Sequence, residues 1–371
     1  MSLRNPGQRA RWQSVMALCQ REHGGKGAQG DRPRALFAIS SLGLGHATRS
    51  LPVLRAFLDQ GYDITLFSTG KALAFLRAEL EAASADRTSP SETTPSMGPP
   101  KVWFCDLPDY PPLERGSGWR LYLYLIADLL RTWVLIRREH RLVEQIAPQF
   151  DFIFSDGRYG FYSRQRPNCI LSHQIALIPP HRLRHTAALT RQLNLIALKR
   201  FDRLFIPDFP DPEHNLSGRL AHDANLRGCR HRFVGVLSSY QHLELEADID
   251  YLFVISGYLV EHRGGLIQQL LSQARDLPGF KVFILGGADE DAARYAHYQS
   301  DNLQIHAVAS GAFRQQAFNR ARVLISRAGY TTIMDLVEHG KRAVLIPTPN
   351  QTEQEYLAWY LANKGHFAIV E

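Results

Sequence analysis

From residue 35 onward, short apolar runs alternate with amphipathic stretches of helical spacing. ALFAIS (35–40) reads as a strand, followed by a glycine turn and a helix from about Ala47 to Gln60. DITLFS (63–68) is the next strand, helical spacing returns over 71–82, and the polar, Pro-rich 87–100 segment is a loop before strand KVWFCD (101–106). The stretch 119–149 is helical; strands DFIFS (151–155) and NCILS (168–172), a helix over 186–199 and strand DRLFIP (202–207) follow. Strands that are apolar throughout are buried on both faces, so the alternation predicts a parallel sheet covered by helices.

Residues 237–250 (LSSYQHLELEADID) lack an apolar period and read as a linker. A second alternation then begins, with strands YLFVIS (251–256), KVFILGG (281–287), NLQIHAV (302–308), RVLIS (322–326), RAVLIP (342–347) and HFAIV (366–370) separated by helices. The expected fold class is α/β, with two Rossmann-like doubly wound domains at 35–236 and 251–371. Ligands bind outside the carboxyl ends of parallel strands, and two such edges can face one cleft. Residues 1–34 read as a flexible basic extension, and no internal repeat is detectable.

With 371 residues, 45% hydrophobic and 21% charged, the chain can bury two sizeable cores, which excludes a disordered or fibrous protein. Cys19, Cys105, Cys169 and Cys229 form no C-x-x-C pair, so neither a zinc site nor a disulfide framework is expected and a reducing cytoplasm fits. No run approaches the roughly 18–20 apolar residues of a membrane-spanning helix, and the first thirty residues lack the apolar core of a secretory signal. The net charge of +7 raises nucleic acid, membrane or an anionic substrate as partners. Its distribution narrows the choice: residues 1–34 carry +5, 35–240 carry +6 and 241–371 carry −4. No nucleic-acid motif accompanies the basic regions.

Three strand-to-helix junctions carry candidate chemistry. Ser40-Ser41-Leu42-Gly43-Leu44-Gly45-His46 follows a strand and opens a helix, so Gly43 and Gly45 permit a tight turn and close approach of a ligand. A dinucleotide fingerprint fits poorly, because Thr48 stands in place of the third glycine and strand 63–68 ends without a carboxylate. His46 at the helix start is either a general base toward a hydroxyl or a helix cap. At Ser326-Arg327-Ala328-Gly329-Tyr330-Thr331-Thr332, a strand ends and a helix opens whose free amides suit a phosphate. Asp335, three residues after Thr332, suits two ribose hydroxyls or simply complements the helix dipole. The third junction, Thr348 to Tyr356, sets Gln351, Glu353 and Gln354 where neutral amides beside a carboxylate can hydrogen-bond a sugar; a capping box of Thr352 and Glu355 is the alternative or companion reading.

SRAGYTTIMDL followed by IPTPNQTEQEYLAWYL, with SLGLGHATRSLP near the start, resembles the GT-B nucleotide-sugar glycosyltransferases, in particular the MurG-like (family 28) group and its uncharacterised relatives. The resemblance covers roughly residues 35–371. It implies His46 as the base under the acceptor, on the turn of Gly43 and Gly45. It implies Gly329, Tyr330, Thr331 and Thr332 at the diphosphate or donor sugar, Asp335 at the ribose, Glu353 and Gln354 at the sugar hydroxyls, and the uracil against backbone near Val308. The same group has motifs similar to Phe154–Tyr162 and Leu171–Gln174, which adds Asp156 to the catalytic candidates, orienting His46, binding the acceptor or capping a helix, and Arg158, Tyr159, His173 and Gln174 on the acceptor side. Two departures stand out. Only Ser256, Gly257 and Arg263 match the first turn of the second domain, and Glu371 falls where the family continues into helices that cross back, so either a shortened chain or a differently organised closure is expected. The D-x-D Asp248-Ile249-Asp250 lies in the linker, so no metal is expected and the UDP-sugar is a substrate rather than a cofactor.

Gly157 to Phe201 contains eight basic residues and no Asp or Glu, and the preceding helix interleaves Trp119, Tyr122, Tyr124 and Trp133 with arginines. This is either a peripheral membrane-docking surface on the cytoplasmic face or an anionic acceptor site; the aromatics also suit a core. The leading expectation is a metal-independent hexosyltransferase using a UDP-sugar and an unidentified acceptor. A UDP-sugar 2-epimerase and a non-catalytic nucleotide-sugar-binding protein are the alternatives.

Overall fold

The computed structural model describes residues 32–85, 99–111, 119–179, 181–222, 226, 228–255, 263–286, 293–307, 309 and 311–370. The basic extension up to residue 31 and most of the Pro-rich loop lie outside them.

The first sheet has seven parallel strands in the order β3-β2-β1-β4-β5-β6-β7: β1 Arg34–Ile39, β2 Asp63–Ser68, β3 Val102–Asp106, β4 Phe152–Asp156, β5 Asn168–Leu171, β6 Arg203–Ile206 and β7 His231–Phe233. Central strands β1 and β4 are in register from Ala35 opposite Phe152 to Ile39 opposite Asp156. Their side chains are almost wholly buried because helices cover both faces. The helices are α1 (Gly45–Asp59), α2 (Gly70–Ala85), α3 (Trp119–Ile146) and α4 (Ala187–Leu198). Only β7, with the polar sequence His-Arg-Phe on the sheet edge, has no counterpart among the expected strands.

The second sheet has six parallel strands, β10-β9-β8-β11-β12-β13: β8 Ile249–Val254, β9 Lys281–Ile284, β10 Leu303–His306, β11 Ala321–Arg327, β12 Arg342–Ile346 and β13 Ala368–Ile369. It is accompanied by α5 (Arg263–Ala274), α6 (Gly311–Arg320), α7 (Tyr330–Glu338) and α8 (Thr352–Asn363). In both sheets the strand order reverses beside the first strand, which creates the crevice where doubly wound folds bind ligands.

The segment joining the sheets is held rather than loose. Tyr240 stacks on Phe318 of α6 at 4.3 Å between ring centroids, and Asn319 takes the Leu243 amide at 2.9 Å. Asp248 and Asp250 pair with Arg320 and Arg322, so the D-x-D carboxylates are engaged in ion pairs. One cluster of buried side chains runs from Phe37 and Leu54 through Leu216 and Leu237 to Leu324, Leu345 and Leu357, and so includes both sheets.

The face of α8 that looks toward the first sheet closes the two halves on one another. Thr352 Oγ1 donates to the Ile178 carbonyl at 2.8 Å, the Tyr356 hydroxyl accepts the Arg219 amide at 2.8 Å, and Tyr360 donates to Asn215 at 2.7 Å. Lys364 Nζ, just past the helix, reaches the Glu213 carbonyl at 2.6 Å.

Candidate active site

The site begins with backbone. Gly43 takes φ +81°, which lets the chain leave β1 and enter α1 within a few residues. The start of α1 has no side-chain cap, so His46 is not a cap. Its Nδ1 lies 2.7 Å from Asp156 Oδ1, at the end of the adjacent strand β4. Gly157, at φ +76°, makes room for the imidazole: a Cβ there would come within 3.0 Å of His46 Cε1.

Asp156 is wholly buried and does not cap a helix. Besides His46 it accepts Ser50 Oγ at 2.8 Å and Arg49 Nε at 2.7 Å, and Arg49 Nη2 pairs with its other oxygen. Burial alone would raise its pKa, but Arg49 and then His46 outweigh that and hold the carboxyl far below the usual range. Arg49 Nη2 lies 3.0 Å from the same Nδ1, but the carboxylate is closer at 2.7 Å and stays ionised, so Nδ1–H donates to Asp156 and His46 Nε2 is left to accept a proton.

On the opposite side stands α7. Its N-cap, Gly329, is extended and offers no side chain to the first-turn amides, the arrangement that favours an anion. Thr331 Oγ1 donates to the Gly45 carbonyl at 3.2 Å, which sets α7 directly against the His46 turn. Thr332 lies one residue further along. Tyr330, by contrast, is turned into the first domain: its hydroxyl donates to the Pro207 carbonyl at 2.7 Å and its ring stacks on His173 at 3.8 Å. Ser326 and Arg327 end β11 and bond the carbonyls of Val254 and Pro347.

Glu353, in the first turn of α8, crosses the cleft. Oε1 lies 2.7 Å from His173 Nε2, and Oε2 accepts Gln174 Nε2. His173 and Gln174, expected beside an acceptor, thus face the second domain. Gln354 turns back to Thr348, accepting its amide and hydroxyl at 3.0 Å. The expected capping box is absent: Gln351 is the N-cap, without a side-chain bond, and Glu355 accepts the Asn350 amide instead.

One further expectation is corrected by burial. Arg158 is 1% exposed and cannot reach an acceptor: it pairs with Glu139 at 2.6 Å and Asp109 at 3.3 Å and donates to the Pro108 carbonyl. Tyr159 donates to Asn194 at 2.9 Å, and burial raises its phenol to about 12. Asp335 is also buried, accepting Ser238 Oγ at 2.6 Å. Ribose contact would require that bond to be exchanged. Ser256, Gly257 and Val308 lie outside the described residues, and Arg263 opens α5.

Burial raises the Asp335 carboxyl to about 7, against the Ser238 and Ser239 hydrogen bonds that lower it. Because the folded value exceeds the unfolded one, its contribution to stability is complete below the ordinary carboxyl range and is lost as pH rises through 7. Asp335→Asn keeps an acceptor for Ser238 without the charge. Its stability gain over wild type, followed by thermal unfolding, is expected to grow between pH 4 and pH 7 and level off at about 2–4 kcal/mol. A pH-independent difference would contradict this.

Arg49 was not among the candidates, although its place three residues after His46 on a helix with a largely apolar face was the available signal. The remaining parts, the His173 to Glu353 bridge above all, join residues 180 apart in sequence.

Residues 263–371 match the model of the glycosyltransferase family 28 C-terminal domain. Over 110 residues, 29% of this chain and 30% of the relative, the sequence is 29% identical to the UDP-N-acetylglucosamine--N-acetylmuramyl-(pentapeptide) pyrophosphoryl-undecaprenol N-acetylglucosamine transferase of Haemophilus ducreyi. The match therefore spans less than a third of that protein. Among solved structures, UGT73P12 of Glycyrrhiza uralensis is similar over 92% of this chain and 82% of its own, at 14% identity and TM-score 0.58. The glycosyltransferase SnogD of Streptomyces nogalater is similar over 92% and 87%, at 17% identity and TM-score 0.54. The chain thus has the GT-B fold of two Rossmann-like domains, and its second domain matches the glycosyltransferase family 28 C-terminal domain.

Proposed function

We propose that the protein transfers a hexosyl or N-acetylhexosaminyl group from a UDP-sugar to an acceptor hydroxyl. The observation that carries this reading is the meeting of the His46–Asp156 pair with the uncapped start of α7 at the Gly45 carbonyl. His46 Nε2 removes the acceptor's proton as its oxygen attacks the anomeric carbon. The bond from that carbon to the phosphate breaks, its electron pair leaves with UDP, and displacement from the opposite face inverts the centre. The first-turn amides of α7 stabilise the departing charge, so no metal is invoked. Glu353 and Gln354 are assigned to the donor sugar and Asp335 to the ribose. Incubation with a panel of nucleotide sugars, with and without cell lipid extract, tests the reading: transfer is expected, whereas isomerisation or binding alone would replace it. The epimerase alternative gains no support, because the matching family and the curated relative are transferases.

The acceptor side of the proposal is an anionic membrane surface. No helix among the described residues is long and apolar enough to cross a membrane. On α3, however, Leu130 and Trp133 are 62% and 51% exposed, and on α4 Leu189 and Leu193 are 60% and 56% exposed. Arg137, stacked over Trp133 at 4.0 Å, joins Arg141, Arg164, Lys199 and Arg200 in lining a groove of roughly 610 Å³ whose lining residues include no carboxylate. Apolar side chains bordered by cations suit a peripheral protein on anionic lipid, with about 1 kcal/mol per basic residue near the surface. Arg137→Gln with Arg141→Gln is therefore expected to weaken co-sedimentation with anionic liposomes by about 30-fold at low salt. Equal binding to zwitterionic and anionic vesicles would remove the surface from the proposal.

A further inference from the structure

We propose that Arg49 and His173 are positioning residues that tie Glu353 of the second domain to the His46–Asp156 pair, so that seating α8 on the first domain fixes the base. This rests on reading His46 as the base. The contacts form an unbroken series: Glu353 Oε1 to His173 Nε2 at 2.7 Å, His173 Nδ1 to Arg49 Nη1 at 3.0 Å, Arg49 Nε to Asp156 Oδ2 at 2.7 Å, and Asp156 Oδ1 to His46 Nδ1 at 2.7 Å.

The protons along it can be assigned. A guanidinium only donates, so His173 Nδ1 must present a lone pair to Arg49. The ring then carries its proton on Nε2 and donates it to the Glu353 carboxylate. Each of the two partners thus fixes the same tautomer, and a doubly protonated ring would set a second N–H against Arg49. Burial favours the neutral ring, and Arg49 and His46 act in the same direction, although the Glu353 hydrogen bond opposes them. The ring plane is fixed by Tyr330, stacked at an angle of 5° and itself anchored to the Pro207 carbonyl.

Arg49 suits this place because its fork serves three directions at once. Nε and Nη2 grip both oxygens of Asp156 while Nη1 reaches His173. A lysine ammonium cannot reproduce that geometry. Rotation of Asp156 about its side-chain bonds is thereby coupled to where Glu353 sits, and Glu353 moves with α8. His46 is oriented by a carboxylate whose own orientation depends on the second domain.

The test is side-chain NMR of the full chain labelled with ¹⁵N-histidine at pH 7, with resonances assigned by their loss on substitution. The expected result is His173 protonated on Nε2 alone and His46 protonated on Nδ1. His173→Asn keeps an acceptor for Arg49 but loses Glu353; His173→Gln keeps a donor for Glu353 but loses Arg49. Each is expected to shift the His46 Nδ1–H resonance and to lower kcat about tenfold. A role confined to packing beneath Tyr330 would lower the thermal midpoint and leave that resonance in place. The proposal is overturned if wild-type His173 carries its proton on Nδ1 or on both nitrogens, or if the His46 resonance is unmoved in both variants. The wild-type tautomer needs no variant to fold. The spectra also need no turnover, so absence of sugar transfer would strike the proposed reaction while leaving this link to be judged by itself.

Discussion

Replacing His46 by alanine is expected to lower kcat by about 10²–10⁴-fold, the usual contribution of a positioned general base. UDP affinity should stay within about threefold, because the pair acts on the acceptor's proton and the donor is assigned to α7 and α8. The protein should also remain folded. Asp156 loses one of its partners but keeps Arg49 on both oxygens and Ser50 at 2.8 Å, so no buried charge is stranded. Initial rates at saturating donor, with UDP binding measured by calorimetry on the same preparation, separate the two effects. Full transfer activity in His46→Ala would reject the base and leave the donor site standing.

The second large effect concerns stability. Arg158→Ala leaves Glu139 and Asp109 buried without their cation, and removal of one partner from such a group typically costs about 3–5 kcal/mol. Glu139 has a partial escape, because burial already raises its pKa against the pull of Arg158, and it also accepts the Tyr110 hydroxyl. Asp109 holds Ser40 Oγ at 2.8 Å and the Ser41 amide, so its displacement disturbs the turn from β1 into α1. Equilibrium urea unfolding should show the loss, and a variant within about 1 kcal/mol of wild type would mean that the ion cluster contributes little.

The sheets were legible because their strands are buried on both faces and therefore apolar throughout. His-Arg-Phe of β7 lacks that signal, since an edge strand needs only one covered side. The glycine turn after β1 pointed to His46 and the resemblance added Asp156, and the two meet because adjacent parallel strands β1 and β4 bring their carboxyl ends together. Side-chain direction was another matter. Arg158 follows Asp156 by two residues and reads as one more cation of a basic region, yet it turns inward to meet carboxylates from the β3 to α3 connection and from α3 itself. Asp335 has the spacing of a ribose ligand, but its carboxylate meets Ser238 from the connecting segment. Both outcomes depend on partners about 20 to 100 residues away, which local spacing does not encode. The Thr352–Glu355 box failed for a smaller reason: the helix starts one residue earlier than a capping threonine requires, which makes Gln351 the N-cap.

The apolar cluster that includes both sheets bears on how the molecule comes apart. Leu216 and Leu237 on one side and Leu345 and Leu357 on the other belong to one body of packed side chains. Separating the lobes would wet that body, so the lobes are expected to share a single cooperative unfolding transition instead of melting in sequence. Movement between them is then expected to be a small slide along α8, in the manner of shear, and not a wide swing about the connecting segment.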